Sequence, residues 1–300
     1  MPDWKQIGDE LNQSGSTFDV IRRKYLRQLA ELTKRNVIVY YSGWLQKPGL
    51  RGTEVNDADK NGFMTVIHDL DTSKGLDLLL HTPGGDTAAT ESIVHYLRSI
   101  FGVNMRAIVP QIAMSGGTLI ACASCEVIMG KQSSLGPIDP QFGSIAAHGV
   151  IEEFKRACRE IRADASKIPV WQPILAKYTP TLLGECEKAV KWSNEMAREW
   201  LLSGMFRGQR GAAAKVRGVV RELSDHAITK SHARHLSLDR CKQIGLRVTA
   251  LEDSPELQDA VLSVHHACVH TLGATAAFKI IENHLGVAFI QMVQNVVVKM

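Results

Sequence analysis

Three hundred residues are enough to bury a full core, as one large domain or two small ones. Apolar residues make up 45% and charged residues 22% of the chain, an ordinary globular composition. A net charge of +4 makes no case for nucleic acid, which calls for a concentrated basic face with stacking aromatics.

Residues 17–34 carry Phe18, Ile21, Tyr25, Leu26, Leu29 and Leu32 at helical spacing, with Arg22, Arg23, Lys24 and Arg27 read as the solvated face of that helix. The β-branched and aromatic run 36–45 predicts a strand, and a polar loop with turn signals at both ends follows it. A short helix is expected over 63–70, a buried strand over 76–80, a helix through Ile93, Val94, Leu97, Ile100 and Phe101, and a second buried strand over 105–109. A helix over about 116–124 and a strand over 126–130 come next. Strands that are apolar throughout and alternate with helices imply a largely parallel sheet covered on both faces, an α/β architecture. Beyond 150 the pattern is mostly helical, including 189–200, 216–223 and 257–269, apart from a strand near 245–251.

The opening stretch MPDWKQIGDELNQSG has neither a basic n-region nor an apolar h-region. The late apolar run 285–298 is interrupted by Gln291, Gln294 and Asn295 and falls short of the roughly 20 residues of a spanning helix. Six cysteines are scattered, and the single CxxC pair, Cys122 and Cys125, lies inside an apolar helix with no second pair to complete a zinc site. The expectation is a cytoplasmic protein with reduced, buried thiols, no membrane span, no metal and no cofactor.

Two strand-to-helix junctions carry paired glycines, LLLHTPGGDTAA and IVPQIAMSGGTLIA. Glycine lets a turn present N–H groups, and a helix start adds unpaired N–H groups with partial positive charge. Side by side on a parallel sheet, two such turns form the donor pair that an oxyanion needs, with the Ser115 hydroxyl next to it. The plain structural alternative is that Ser115 is a helix N-cap and the glycines serve tight packing.

The stretches LDLLLHTPGGDTAATESIVHYLR, AIVPQIAMSGGTLIACAS and SSLGPIDPQFG resemble the serine dehydrogenase proteinase family of the Clp protease/crotonase superfamily, which also contains signal peptide peptidase A. The resemblance is strong over about 36–145 and continues weakly through ITKSHARHLSLDRCKQIGLRV. It implies a spiral of β-β-α units with a largely parallel sheet and helical N- and C-terminal additions. The divisions expected are a helical segment over 1–35, the peptidase core over 36–251 with a helical insertion at about 170–225, and a helical extension over 252–300. By the same resemblance Ser115 is the nucleophile, and the N–H of Gly84 or Gly85, with that of Gly116, forms the oxyanion hole.

Clp peptidase subunits place a histidine in the segment matching QSSLGPIDPQ; this chain has Pro137, Ile138, Asp139 and Pro140 there. The superfamily's alternative is a Ser-Lys dyad, for which Lys155 is the leading candidate because it borders the apolar stripe of HGVIEEFKRACREI. Lys131, Lys167 and Lys177 are the other lysines considered, and a histidine remains the competing base. His81 lies beside the glycine turn as a cleft or structural residue, and Asp139, in a rigid Pro-Ile-Asp-Pro frame, would orient a base or meet a neighbouring subunit. The leading function is therefore a serine peptidase acting on peptides or proteins, a homo-oligomer whose unfoldase or regulator, if any, is a separate protein, since no nucleotide-binding motif is present. A crotonase-like acyl-CoA enzyme and a catalytically inactive oligomeric scaffold are the alternatives.

Overall fold

The structure, a computed structural model, describes residues 6–7, 18–143, 145–225 and 231–293. Helix α1 (Phe18–Thr33) leads into strand β1 (Asn36–Ser42), helix α2 (Ala58–Ile67), strand β2 (Leu76–His81), helix α3 (Thr87–Phe101) and strand β3 (Met105–Val109). Helix α4 (Gly116–Cys122) and strand β4 (Glu126–Met129) follow. A helical stretch comprises α5 (Ala147–Ala163), α6 (Ile168–Leu175), α7 (Leu182–Ser203), α8 (Ala212–Ser224) and the short α9 (Leu238–Gln243). Strand β5 (Val248–Ala250), helix α10 (Pro255–Ala274) and strands β6 (Ala277–Asn283) and β7 (Ala288–Met292) complete the described chain.

The main sheet has the order β5-β4-β3-β2-β1-β6-β7. Its first five strands are parallel, while β6 and β7 join antiparallel. Alternation along β1 explains the unbroken apolar runs. Ile38 and Tyr40 pack with Phe63, Ile93, Leu97 and Leu119 on one face. Val37, Val39 and Tyr41 pack with Leu26 and Leu29 of α1 and Val261 and Val264 of α10 on the other. With both faces covered, every position of the strand is buried. The helical excursion has a small core of its own, where Ala147, Val150 and Ile151 meet Cys186, Phe154 and Tyr178.

Two expectations are corrected here. The C-terminal extension is helical only through α10; it then forms the β6–β7 hairpin, because AFKIIEN and AFIQM are β-rich runs joined at a positive-φ Gly286. Arg22 is not on a solvated face: it is fully buried, with its guanidinium paired to the buried carboxylate of Glu282 on β6 and donating to Thr271 at 3.1 Å. Burial of that charge is tolerated because the partner strand supplies the counter-charge.

A second buried pair ties β6 to the loop beside the glycine turns. Lys279 Nζ lies 2.7 Å from Asp59 Oδ1 and donates to the Glu54 carbonyl at 2.8 Å, while the Tyr40 hydroxyl donates to Asp59 Oδ2 at 2.6 Å. The neighbouring Val55 N–H donates to the Gly84 carbonyl at 2.8 Å, and Asp86 N–H to the Val55 carbonyl at 2.9 Å. Lys279→Met should cost about 3–5 kcal/mol of stability by stranding the Asp59 carboxylate. A Lys279→Met/Asp59→Leu double variant should recover part of that loss, and denaturant titration of the three proteins checks both expectations.

Candidate active site

The site is assembled at the C-terminal ends of β2 and β3, where parallel sheets leave their ligand crevices. Beyond both strands the pairing continues: Thr82 N–H donates to the Ile112 carbonyl at 3.1 Å, and Met114 N–H donates to the Thr82 carbonyl at 3.0 Å. This bridge holds the two glycine turns against each other. Gly84 has φ +88°, and a Cβ there would stand 2.6 Å from Ser115 Cβ and 2.7 Å from Gly116 N. A Cβ on Gly116 would stand 2.6 Å from Thr90 Oγ1. No side chain fits at either point, so both glycines serve close approach, and Gly84 supplies the positive φ as well.

Ser115 occupies the N-cap position of α4, with φ +50° and ψ −112°, yet its side chain makes no capping hydrogen bond. Positive φ with strongly negative ψ is costly for a residue with a Cβ, of order 1–3 kcal/mol. The plain N-cap reading therefore fails: the hydroxyl does not satisfy the helix, and the backbone is strained. The residue is half-buried and opens onto a cavity of about 820 Å³ that also takes in Gly84, Gly85, Gly116, Gln141 and His232.

The N–H groups differ in availability. Gly84 N–H donates to Thr82 Oγ1 at 3.1 Å. Gly85 N lies 3.4 Å from the Cβ position of Gly116, and Gly116 N–H belongs to the first helical turn, where no intrahelical acceptor exists. Of the alternatives Gly84 and Gly85, the turn commits the Gly84 N–H elsewhere and leaves that of Gly85 beside Gly116.

Asp139 is fully buried in its proline frame. The frame is clamped by Ile138 N–H donating to the Leu223 carbonyl at 2.9 Å and by Ser193 Oγ donating to the Ile138 carbonyl at 2.8 Å. Asp139 Oδ1 lies 2.8 Å from His232 Nδ1, and Gln141 Nε2 donates to Oδ2 at 3.0 Å. A proton on Nδ1 facing the carboxylate leaves Nε2 as the acceptor nitrogen. His232 was absent from the sequence-based candidates. The signals that point to it are a proline-framed aspartate in need of a partner and the clustered histidines 226, 232 and 235, of which His226 lies outside the described residues.

Lys155 stands elsewhere. It is exposed on α5 and borders a separate hollow with Glu152, Glu153, Arg156 and Tyr178, because the stripe that α5 buries, Ala147, Val150, Ile151 and Ala157, faces the helical excursion's own packing partners. Lys131 and Lys177 are exposed, and Lys167 pairs loosely with Glu160 at 3.7 Å. Among the described residues the lysine that lines the Ser115 cavity is Lys188 of α7, exposed and paired with Glu185 at 2.9 Å.

His81 also lies outside that cavity. It shares the strand face of Leu79, which packs toward α1 and α10. Its ring packs at a tilt against Trp44, with centroids 4.5 Å apart, and lies 5.3 Å from Tyr41 and 5.6 Å from His265. Burial pushes its pKa down to about 3, so the ring is neutral at physiological pH, and its place on the sheet face away from α4 separates it from the Ser115 cavity. Below its ordinary value near 6.5 the unfolded chain binds this proton and the folded chain does not, so stability falls as pH drops from 6.5 toward 3. His81→Phe should reduce the stability lost between pH 7 and pH 5 by ~2 kcal/mol, read from denaturation midpoints at the two pH values. His265 is pushed down as well, by burial and by the neighbouring His81 and His266.

The described residues contain no group of three or more ligand-type side chains suited to a metal ion. Among them no helix is long and apolar enough to cross a membrane. Cys122 is buried and its thiol pushed up to about 12, the behaviour of a packed apolar residue.

A family model described as ClpP-like SDH-type serine proteinase matches residues 14–265. The chain belongs to this family. Two relatives are uncharacterized proteins of Methanocaldococcus jannaschii. One is 31% identical over 229 residues, 73% of this chain and 72% of the relative. The other is 30% identical over 173 residues, 58% of this chain and 51% of the relative. The large, mostly parallel sheet is consistent with a ClpP-like fold. The β6–β7 hairpin, with Lys279 and Glu282, lies beyond the part the family model matches.

Proposed function

We propose that this chain is a serine peptidase in which Ser115 Oγ attacks a peptide carbonyl. His232 Nε2 accepts the serine proton, Asp139 orients the imidazole through Nδ1, and the N–H groups of Gly85 and Gly116 stabilise the oxyanion. The observation that carries this reading is the strained, non-capping Ser115, opening onto the same cavity as a histidine held by a buried carboxylate. In this reading His232 takes the place considered for Lys155, which is exposed on α5 and lines a different hollow. The substrate is a peptide or unfolded protein segment. The family's assembly habit and the exposed Ile168 and Val170 of α6 support a homo-oligomer; any unfoldase or regulator is a separate protein, and the address is cytoplasmic.

A fluorophosphonate probe, mapped by mass spectrometry after digestion, should leave its adduct on Ser115 and on no residue of a Ser115→Ala protein. Absence of an adduct at Ser115 sinks the nucleophile assignment and favours the acyl-CoA or scaffold reading.

A further inference from the structure

A second cavity, of about 800 Å³, adjoins the first and shares Pro83, Gln141 and His232 with it. It contains neither Ser115 nor the two glycines of the oxyanion site. Its walls are Trp44, Leu45, Ile112, Met114 and Ile145. No Asp, Glu, Lys or Arg lines it among the described residues, whereas the Ser115 cavity carries Glu54, Asp86, Glu185 and Lys188. The two hollows thus meet at the histidine and differ in chemistry.

We propose that this second cavity is the leaving-group subsite, which takes the residue on the amine side of the scissile bond and selects an uncharged, apolar side chain there. The inference rests on the serine-peptidase reading and follows from where the proton goes. When the tetrahedral intermediate collapses, the C–N bond breaks, the acyl group stays as an ester on Ser115 Oγ, and the amine departs with the proton that His232 had taken from the serine. The carbonyl oxygen lies toward the Gly85 and Gly116 N–H groups, so the nitrogen must lie within reach of His232. The hollow that has the histidine but not the oxyanion donors is therefore the one the departing chain occupies. Trp44, packed against His81, provides a flat aromatic wall. Among the described residues His232 and His235 are the titratable groups of the lining, so a charged side chain meets no carboxylate, lysine or arginine there to offset its lost hydration.

The reverse half-reaction isolates this subsite. In it, an amine attacks the Ser115 ester carbonyl, His232 accepts the amine proton, the C–O bond breaks, and the serine recovers its hydrogen. The acetyl-enzyme formed from p-nitrophenyl acetate is offered leucinamide, phenylalaninamide, lysinamide or glutamic acid α-amide at equal free-base concentration. The ratio of acetylated amide to acetate is then read by mass spectrometry, with Ser115→Ala subtracting the uncatalysed reaction. Leucinamide and phenylalaninamide should capture the acetyl group at least about 10-fold better than either charged amide, the scale set by a few methylenes in an apolar pocket. Leu45 is 47% exposed, so Leu45→Asp should fold. It should lower leucinamide capture and raise lysinamide capture. Equal partition among the four amines, or a Leu45→Asp protein with the wild-type preference, overturns the subsite alone. Failure of Ser115 to become acetylated overturns the peptidase reading, and this inference with it.

Discussion

Ser115→Ala and Ser115→Gly should both lose hydrolysis of an unstructured protein by about 10⁴-fold or more, the scale on which a nucleophile's removal leaves only binding and oxyanion stabilisation. Their stabilities should differ in a way that no ordinary serine predicts. At φ +50° and ψ −112° the alanine variant keeps the strain of a Cβ, and no capping hydrogen bond is lost in either variant because the serine makes none. Glycine removes the strain, of order 1–3 kcal/mol, against about 0.5–1 kcal/mol of extra freedom in the unfolded chain. The glycine variant should therefore be about 1 kcal/mol more stable than wild type and should melt a few degrees higher. An inactive protein with a raised Tm would identify the serine as a residue kept for chemistry at a cost in folding. A glycine variant that is less stable than wild type would show that the hydroxyl has a structural partner and would remove the argument from strain.

The sequence carried the frame of this site because its signals are local. β2 and β3 are apolar throughout, since both faces of the sheet are covered, and each ends in a turn whose glycines are required at contact distance. The helical boundaries needed only adjustment: α2 begins at Ala58, ahead of the apolar residues that marked it. What periodicity did not reveal depends on partners far along the chain. Arg22 reads as surface until Glu282 arrives 260 residues later. Lys279 and Glu282 gave the β6 run a polar look although both are fully buried by their ion pairs. His81 was the exception that could have been read more closely. It has the parity of Leu79 along β2, which sends it to the α10 side of the sheet, away from α4. The base was hidden for the same long-range reason. His232 and Asp139 are 93 residues apart, and nothing between them in the chain announces that α7 and α8 will clamp the aspartate's turn beside that histidine.

The assignment of the base yields the widest separation between competing variants. His232→Ala should lower kcat/KM by roughly 10⁴-fold or more and slow fluorophosphonate labelling of Ser115 in proportion, because the serine hydroxyl is then left almost wholly protonated. Asp139→Asn should cost about 10⁴-fold by favouring the wrong tautomer of His232, with the cavity otherwise intact. Lys155→Ala should change kcat/KM by less than about 2-fold, since an exposed surface side chain outside the cavity contributes little to the transition state. The double variant His232→Ala/Asp139→Asn should be hardly worse than His232→Ala alone, because an orienting carboxylate has nothing to orient once the imidazole is gone. Multiplicative losses in the double variant would mean that Asp139 acts independently of His232. A Lys155→Ala protein as impaired as His232→Ala would restore the Ser-Lys arrangement and require α5 to move toward the serine. Thermal melts of all four proteins separate these outcomes from unfolding. Asp139 is buried and hydrogen-bonded to Gln141 as well as to His232, so Asp139→Asn and the double variant should lose stability, His232→Ala should lose some by taking a partner from the buried carboxylate, and the exposed Lys155→Ala should not.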